Sequence, residues 1–293
     1  GESEIYSAPA GFPPESPLVL SGDGLDFDHT VYFPSPEPAK PTISAWMESS
    51  AAKAKSLAYY LRRALIPTPR LQPKLSLSAS ELAPGDFYVT DGSLSETAAA
   101  KLRAELENGK SALFVLDRQT TEIGTLLGST APVVVERKPP SGFTLFQTID
   151  FEHPILAPFA APQTRDFSKI HIWHYRDIRI PNAKTLITFD TDSPALLEIA
   201  IGKGKLFVLT TSWSADDSQL ARSTKFVPLL YSIFEQSGLR ATADQTYIVG
   251  EPLPLNRDFS GSEVELVGQT EPVALEAGFT PDEPGLFVFR QGE

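Results

Sequence analysis

The stretch covering residues 202–236, GKGKLFVLTTSWSADDSQLARSTKFVPLLYSIFEQ, restricts what this chain can fold into. Two closely spaced glycines predict a tight turn, because glycine adopts positive φ without steric cost. Residues 206–211 then read as a short apolar strand, Ser212 to Asp217 as a polar loop, and residues 226–234 as an amphipathic helix. Pro228 is tolerated in the first turn of that helix, where its missing N–H costs nothing. A buried strand passing through a polar loop into a helix belongs to a sheet covered by helices. In such sheets, ligands and reactive groups collect at the carboxyl ends of the strands. Here that loop carries Thr210, Thr211, Ser212, Ser214, Asp216 and Asp217, with no histidine and no cysteine.

The alternation extends over residues 41–240. Strands are expected at 43–46, 86–90 and 112–116, the last a continuous apolar run of the buried parallel type. Helices are expected at 49–65, ended by Pro67 and Pro69, from an N-cap at Ser95 to Asn108, and at 122–127. The pattern then turns to β, at 133–135, 143–149, 170–175 and 185–189, with 196–201 and 206–211 forming a hairpin around Gly202-Lys203-Gly204-Lys205. Residues 1–40 form an N-terminal β segment with strands at 18–20 and 30–33, and 241–293 a small β unit with strands at 247–249, 264–267 and 286–289. Both terminal segments hold apolar edges that need cover, from each other or from the main sheet.

A net charge of -12 disfavours binding to nucleic acid or to anionic lipid, since both need a basic face. The absence of cysteine removes disulfides, thiolate nucleophiles and thiolate zinc sites. No apolar run approaches the roughly 20 residues of a membrane span. The opening Gly-Glu-Ser reads as a tag remnant on a segment excised from a longer protein.

The helix AKSLAYYLRRAL, the strand GDFYVTD, the run LSETAAAKLRAELENGKSALFVL, the phrase FEHPILAPF, the hairpin ALLEIAIGKGKLFVLTTS and the helix FVPLLYSIFE follow one another in a fixed series. Their collinear order resembles the exported C-terminal region of the aerotolerance (Bat-type) membrane proteins, over residues 16–290. The resemblance implies an α/β fold: a three-layer, class I glutamine amidotransferase-like (flavodoxin-like) domain with flanking β segments. It implies a parent protein with N-terminal membrane helices, usually a von Willebrand A domain, and a further C-terminal membrane helix. This region would then stand on the periplasmic or cell-surface side of a bacterial inner membrane, with other envelope or membrane proteins as partners.

An amidotransferase needs a cysteine on the turn after the central strand and a histidine at a later strand end to raise its thiolate fraction. The matching positions here are Asp117-Arg118-Gln119 and Thr210-Thr211-Ser212. Asp117, Arg118, Ser212 and Asp216 are therefore candidates for a vestigial site, and no catalysis, cofactor or metal is expected. Ser212 as a nucleophile would need a base within reach. Of the four histidines, His153 precedes a proline in a loop, and His171 and His174 are three apart in a strand-like run that directs them to opposite faces. Asp23, Asp26 and Asp28 lack the EF-hand spacing and read as turn residues. The GKGK run lacks the phosphate-loop pattern. Asp216 and Asp217 favour the start of the following helix through its dipole, as caps. Trp46, Trp173 and Trp213 form a sugar platform only if coplanar and exposed; packing in the core is the simpler reading.

The expected function is a non-catalytic interaction or scaffold domain. The rivals are a hydrolase using Ser212 or Asp117, which requires a Ser–His contact, and a carbohydrate- or peptide-binding module, which requires a row of exposed aromatics.

Overall fold

The computed structural model describes residues 38–47, 56–68 and 71–239, together with 18–19, 30–31, 248–252, 262–266, 273–274, 279–282, 285 and 287–291. Asp23, Asp26, Asp28, His29 and the first residues of the helix expected from Ser49 lie outside these. The chain divides into two units, one made of 1–37 with 242–293, the other of 38–241.

In the first unit, β1 (Leu18–Val19) pairs antiparallel with β2 (Thr30–Val31). The second unit holds β3 (Thr42–Trp46), α1 (Leu57–Ala64), β4 (Lys74–Ser78), β5 (Phe87–Asp91), α2 (Glu96–Glu107), β6 (Ser111–Val115), α3 (Glu122–Leu127), β7 (Val134–Arg137), β8 (Phe146–Ile149), β9 (Tyr175–Ile178), β10 (Lys184–Phe189), β11 (Pro194–Ile201), β12 (Gly204–Leu209) and α4 (Phe226–Gln236). The chain returns to the first unit with β13 (Ser262–Leu266), β14 (Val273–Ala274) and β15 (Phe287–Gln291), in the order β14-β13-β15. The expected strand at 286–289 thus finds its partner in β13, and that at 18–20 in β2; among the described residues the two do not pair with each other. Of the strand expected at 247–249, Ile248 and Val249 belong to no strand, Val249 and Gly250 forming a turn, and Tyr247 lies outside the described residues.

One eight-stranded sheet organises the second unit, in the order β4-β3-β5-β6-β12-β11-β10-β8. The first five of these run parallel. Numbered by their succession in the chain they stand 2-1-3-4-5, the order of a doubly wound sheet. Beyond β12 the pairing turns antiparallel through β11, β10 and β8. The mixed sheet follows from connection length. Parallel neighbours need a crossover helix, whereas the two-residue link between β11 and β12 permits only a hairpin.

The central strands are apolar on both faces because both are covered. Ile43, Phe87, Val89, Leu113, Val115, Phe207 and Leu209 pack with α1 and α4. Tyr88, Ala112, Phe114, Leu206 and Val208 pack with α2 and α3. At roughly 25 cal/mol per Å² of apolar area, these two faces supply the main favourable contribution to folding. No helix among the described residues is long and apolar enough to cross a membrane.

The hairpin turn corrects one expectation. Gly202 takes positive φ, at 58°, but Gly204 does not. Gly204 is needed for space: a Cβ there would lie 1.9 Å from the Lys110 carbonyl oxygen. The turn is pressed onto the end of α2, where Lys203 N–H donates to the Glu107 carbonyl at 3.3 Å.

Candidate functional site

The carboxyl ends of β5, β6 and β12 carry the polar residues of the parallel edge. Asp91 closes β5 and is 2% exposed. Its Oδ1 accepts from both the N–H and the hydroxyl of Ser93. Burial raises the Asp91 carboxyl above its ordinary range, and the neighbouring Asp117 charge adds to the shift while Ser93 opposes it. Asp117, just past β6, accepts the Gly92 N–H at 2.9 Å and forms an ion pair with Arg118 at 2.8 Å. The approach is close: a Cβ on Gly92 would stand 2.8 Å from Asp117 Oδ1. Asp117 and Arg118 thus join the loop after β6 to the loop after β5.

Ser212 belongs to a separate set. It is 1% exposed, its Oγ bonds the Ser214 hydroxyl at 3.0 Å and accepts the Ser214 N–H, and its carbonyl accepts the Ser218 hydroxyl. Among the described residues, no hydrogen bond joins Asp117 to Ser212 or Asp216, and no histidine reaches the Ser212 hydroxyl. Asp216 is exposed. Of the four candidates, the structure brings together only Asp117 and Arg118.

The loop from Ser212 to Asp217 does not cap the following helix. A 3₁₀ turn at Leu220–Arg222 intervenes, and α4 starts after Lys225 with no side-chain cap. The Asp217 carboxylate turns the other way. Its Oδ2 accepts from Arg176 Nη1, and its Oδ1 lies 3.2 Å from His174 Nδ1. Both side chains of the Arg176–Asp217 pair are 8% exposed, whereas that of His174 is 34% exposed. Glu136 Oε1 stands 3.8 Å from Arg176 Nε. The backbone joins in, since Trp173 N–H donates to the Asp217 carbonyl and Arg176 N–H to the Thr210 carbonyl, both at 2.7 Å. Thr211 Oγ1 donates to the His174 carbonyl.

This His174–Asp217–Arg176 network is the polar feature that sequence reasoning missed. The sequence predicts a strand over 170–175, but Ile172 makes only isolated bridges, to Thr144 and Ser218, and β9 begins at Tyr175. The available signal was the spacing His174-x-Arg176, with an unassigned carboxylate at Asp217. His171 instead stacks on Phe143, ring centroids 4.0 Å apart.

His153 occupies another part of the unit. Its Nδ1 accepts the Ile155 N–H at 3.4 Å, so the proton sits on Nε2, which faces Glu198 Oε2 at 3.3 Å. Among the described residues, Glu198 Oε2 is buried without a hydrogen-bond donor. The other Glu198 oxygen pairs with Lys205 at 3.1 Å. Burial pushes the His153 imidazole down, Glu198 pulls it up, and Lys184 and Lys205 push it down again.

The tryptophans do not assemble. Trp46 packs with the α2 face and donates to the Ser93 carbonyl, while Trp213 is buried against α4 and donates to the Leu57 carbonyl. No group of three or more histidine, aspartate or glutamate side chains among the described residues is placed to hold a metal ion.

No family model matches the chain. No curated protein matches it either. Among solved structures, a cytoplasmic protein of Salmonella typhimurium LT2 aligns at 15% identity and TM-score 0.48, covering 67% of this chain and 98% of that one. The beta-galactosidase of Bacillus circulans sp. alkalophilus aligns at 10% identity and TM-score 0.47, covering 88% of this chain and 42% of that enzyme. A GMP synthase-like protein of Thermoplasma acidophilum aligns at 15% identity and TM-score 0.42, covering 67% of this chain and 97% of that one.

Proposed function

We propose that this chain is a non-catalytic interaction domain: a class I glutamine amidotransferase-like, flavodoxin-like fold without the amidotransferase chemistry. We further infer that it belongs to a membrane-anchored envelope protein of the aerotolerance (Bat) type and works on the exported side, where it binds other envelope proteins. One observation carries the reading. At the edge where such a fold does chemistry, the polar side chains are spent on one another. Asp117 holds Arg118 and Gly92, and the Ser212 hydroxyl is buried against Ser214. A nucleophile must be open to substrate and within reach of a base, and Ser212 is neither.

The test is turnover by the purified protein: ammonia release from glutamine, and hydrolysis of activated esters. The expected result is none above the buffer rate. Turnover that disappears in Ser212→Ala or Asp117→Asn would replace this reading with the hydrolase one.

A further inference from the structure

We propose that the outer face of α1 is a docking surface, and that it takes a short acidic segment of a partner protein. The inference rests on the interaction-domain reading and names its surface. Leu57, Ala58, Leu61 and Ala64 turn into the core. Tyr59, Arg62 and Arg63, at the complementary helical spacing, form the stripe that faces away from it, and Ile66 follows just past the helix. Both arginines are exposed, and Ile66 is 55% exposed. No carboxylate stands in this stripe, and among the described residues neither arginine has a carboxylate partner. The opposite helix layer differs. There α2 presents Glu96, Lys101 and Glu107 to solvent, and its Arg103 is paired with Glu107 at 2.9 Å.

The arginines stand on a fixed support. Tyr60 packs against the core. Tyr59 belongs to neither core cluster, and its ring meets that of Tyr60 edge-on, with centroids 5.2 Å apart. The Arg63 guanidinium in turn lies 3.9 Å from the Tyr59 ring centroid. A guanidinium stacked on a ring keeps its N–H edge free for a carboxylate, and it loses less freedom when one arrives. The end of the helix is held as well, since the Tyr231 hydroxyl of α4 donates to the Ile66 carbonyl. The helix dipole favours basic residues in the last turn, which accounts for the charge of Arg62 and Arg63. It does not account for the aromatic support or for the exposed isoleucine that follows. Tyrosine and arginine next to an exposed apolar side chain, with no acid among them, match the composition of interaction hot spots.

The chemistry of the occupant follows from charge and length. At a rise of 1.5 Å per residue, the surface from Tyr59 to Ile66 runs about 10 Å, which suits a short segment. In a chain of net charge -12, two adjacent arginines without carboxylate partners among the described residues select carboxylates from outside. Ile66 adds a place for one apolar side chain. A second copy of this chain fits less well, because an isologous contact through this face would set arginine against arginine. Nucleic acid and anionic lipid need a larger basic area, and the net charge opposes both.

The experiment selects a displayed library of random ten-residue linear peptides on the purified chain, then measures the enriched peptides by fluorescence anisotropy. The expected peptides carry two or more Asp or Glu beside an apolar residue. Their affinity should fall at least about tenfold, or 1.4 kcal/mol, in Arg63→Glu. Arg63→Gln, which removes only the charge, keeps the test valid if the reversal disturbs α1. Tyr59→Ala keeps both charges and removes the support; it should weaken binding about threefold or more, whereas Tyr59→Phe should bind like the unaltered chain. Lys138→Glu makes the same change of net charge next to β7, whose Val134 packs with the α2 face, and should leave affinity within about twofold. Four outcomes overturn the proposal: no enrichment of acidic peptides, binding unchanged in Arg63→Glu and Arg63→Gln or in Tyr59→Ala, equal losses in Lys138→Glu and Arg63→Glu, or a dimer in sedimentation that Arg63→Glu dissolves. Any of these without enzymatic turnover removes the α1 surface and leaves the non-catalytic reading standing. Glutamine or ester turnover removes that reading whatever the peptides do.

Discussion

At the scale of single residues, the contrast between Asp216 and Asp217 is the sharpest. Asp216 is exposed, and Asp216→Ala should change stability by no more than about 0.5 kcal/mol. Asp217→Ala leaves Arg176 buried without its counter-charge, and breaking such a pair costs roughly 3–5 kcal/mol. Urea unfolding of the two variants checks both values; equal, small losses would mean that Arg176 finds another partner. The sequence places the two aspartates side by side in a polar loop and offers no reason to separate them. Their roles diverge because the carboxylate of Asp217 meets a strand far earlier in the chain, a pairing no local spacing encodes. His153 yields a pH prediction. Its imidazole is held below the ordinary value of 6.5, chiefly by burial, so the folded state resists protonation while the unfolded chain does not. The linked stability is complete above that ordinary value and is lost as pH falls toward the folded one. Melting temperatures from neutral pH down to about pH 5 should drop less steeply in His153→Gln, which keeps a donor facing Glu198 but cannot titrate. Parallel profiles for the two proteins would remove His153 from the acid response.

At the scale of elements, the central parallel strands and α2 were legible because each carries its own punctuation, whereas α1 begins at Leu57, after the Ser56 cap, and not at Ser49 as expected. α2 begins where Ser95 predicts, with the hydroxyl accepting the Ala98 N–H at 3.3 Å. Ser95→Ala should therefore cost about 1 kcal/mol. Gly204→Ala should cost more, toward the upper end of roughly 1–3 kcal/mol, because its new methyl meets backbone and nothing there can step aside. Thermal denaturation ranks the two; a smaller loss for Gly204→Ala would show that the hairpin can lift off α2. Two strands of the α/β half escaped notice. β4 reads Lys-Leu-Ser-Leu-Ser, whose serines look like loop, yet its two leucines pack onto the α1 face as the parallel neighbour of β3. β9 was displaced by the apolar run before it, since Ile170 and Ile172 are buried by side-chain packing and isolated bridges instead of a ladder. Alternation alone registers which face is buried, not which backbone finds a partner.

At the scale of the whole molecule, the division at 37/38 and 241/242 means that both ends of the chain enter one unit and the middle forms the other. Residues 38–241 contain the entire eight-stranded sheet with its covering helices, enough core to fold alone. Expressed by itself, this segment should unfold in one cooperative transition, with near-ultraviolet circular dichroism showing fixed aromatic packing; a broad, non-cooperative melt would count against an independent core. The central strand of that sheet leads a double life. On one side β12 pairs with β11 through a two-residue link, and on the other with β6, where Lys205 lies opposite Ser111. The first contact closes in microseconds, as hairpins do; the second must wait for the intervening chain to be gathered in, and such non-local pairing sets the pace. The seam between β6 and β12 is thus the last to close on refolding and the first at which two molecules, caught half-finished, could trade strands.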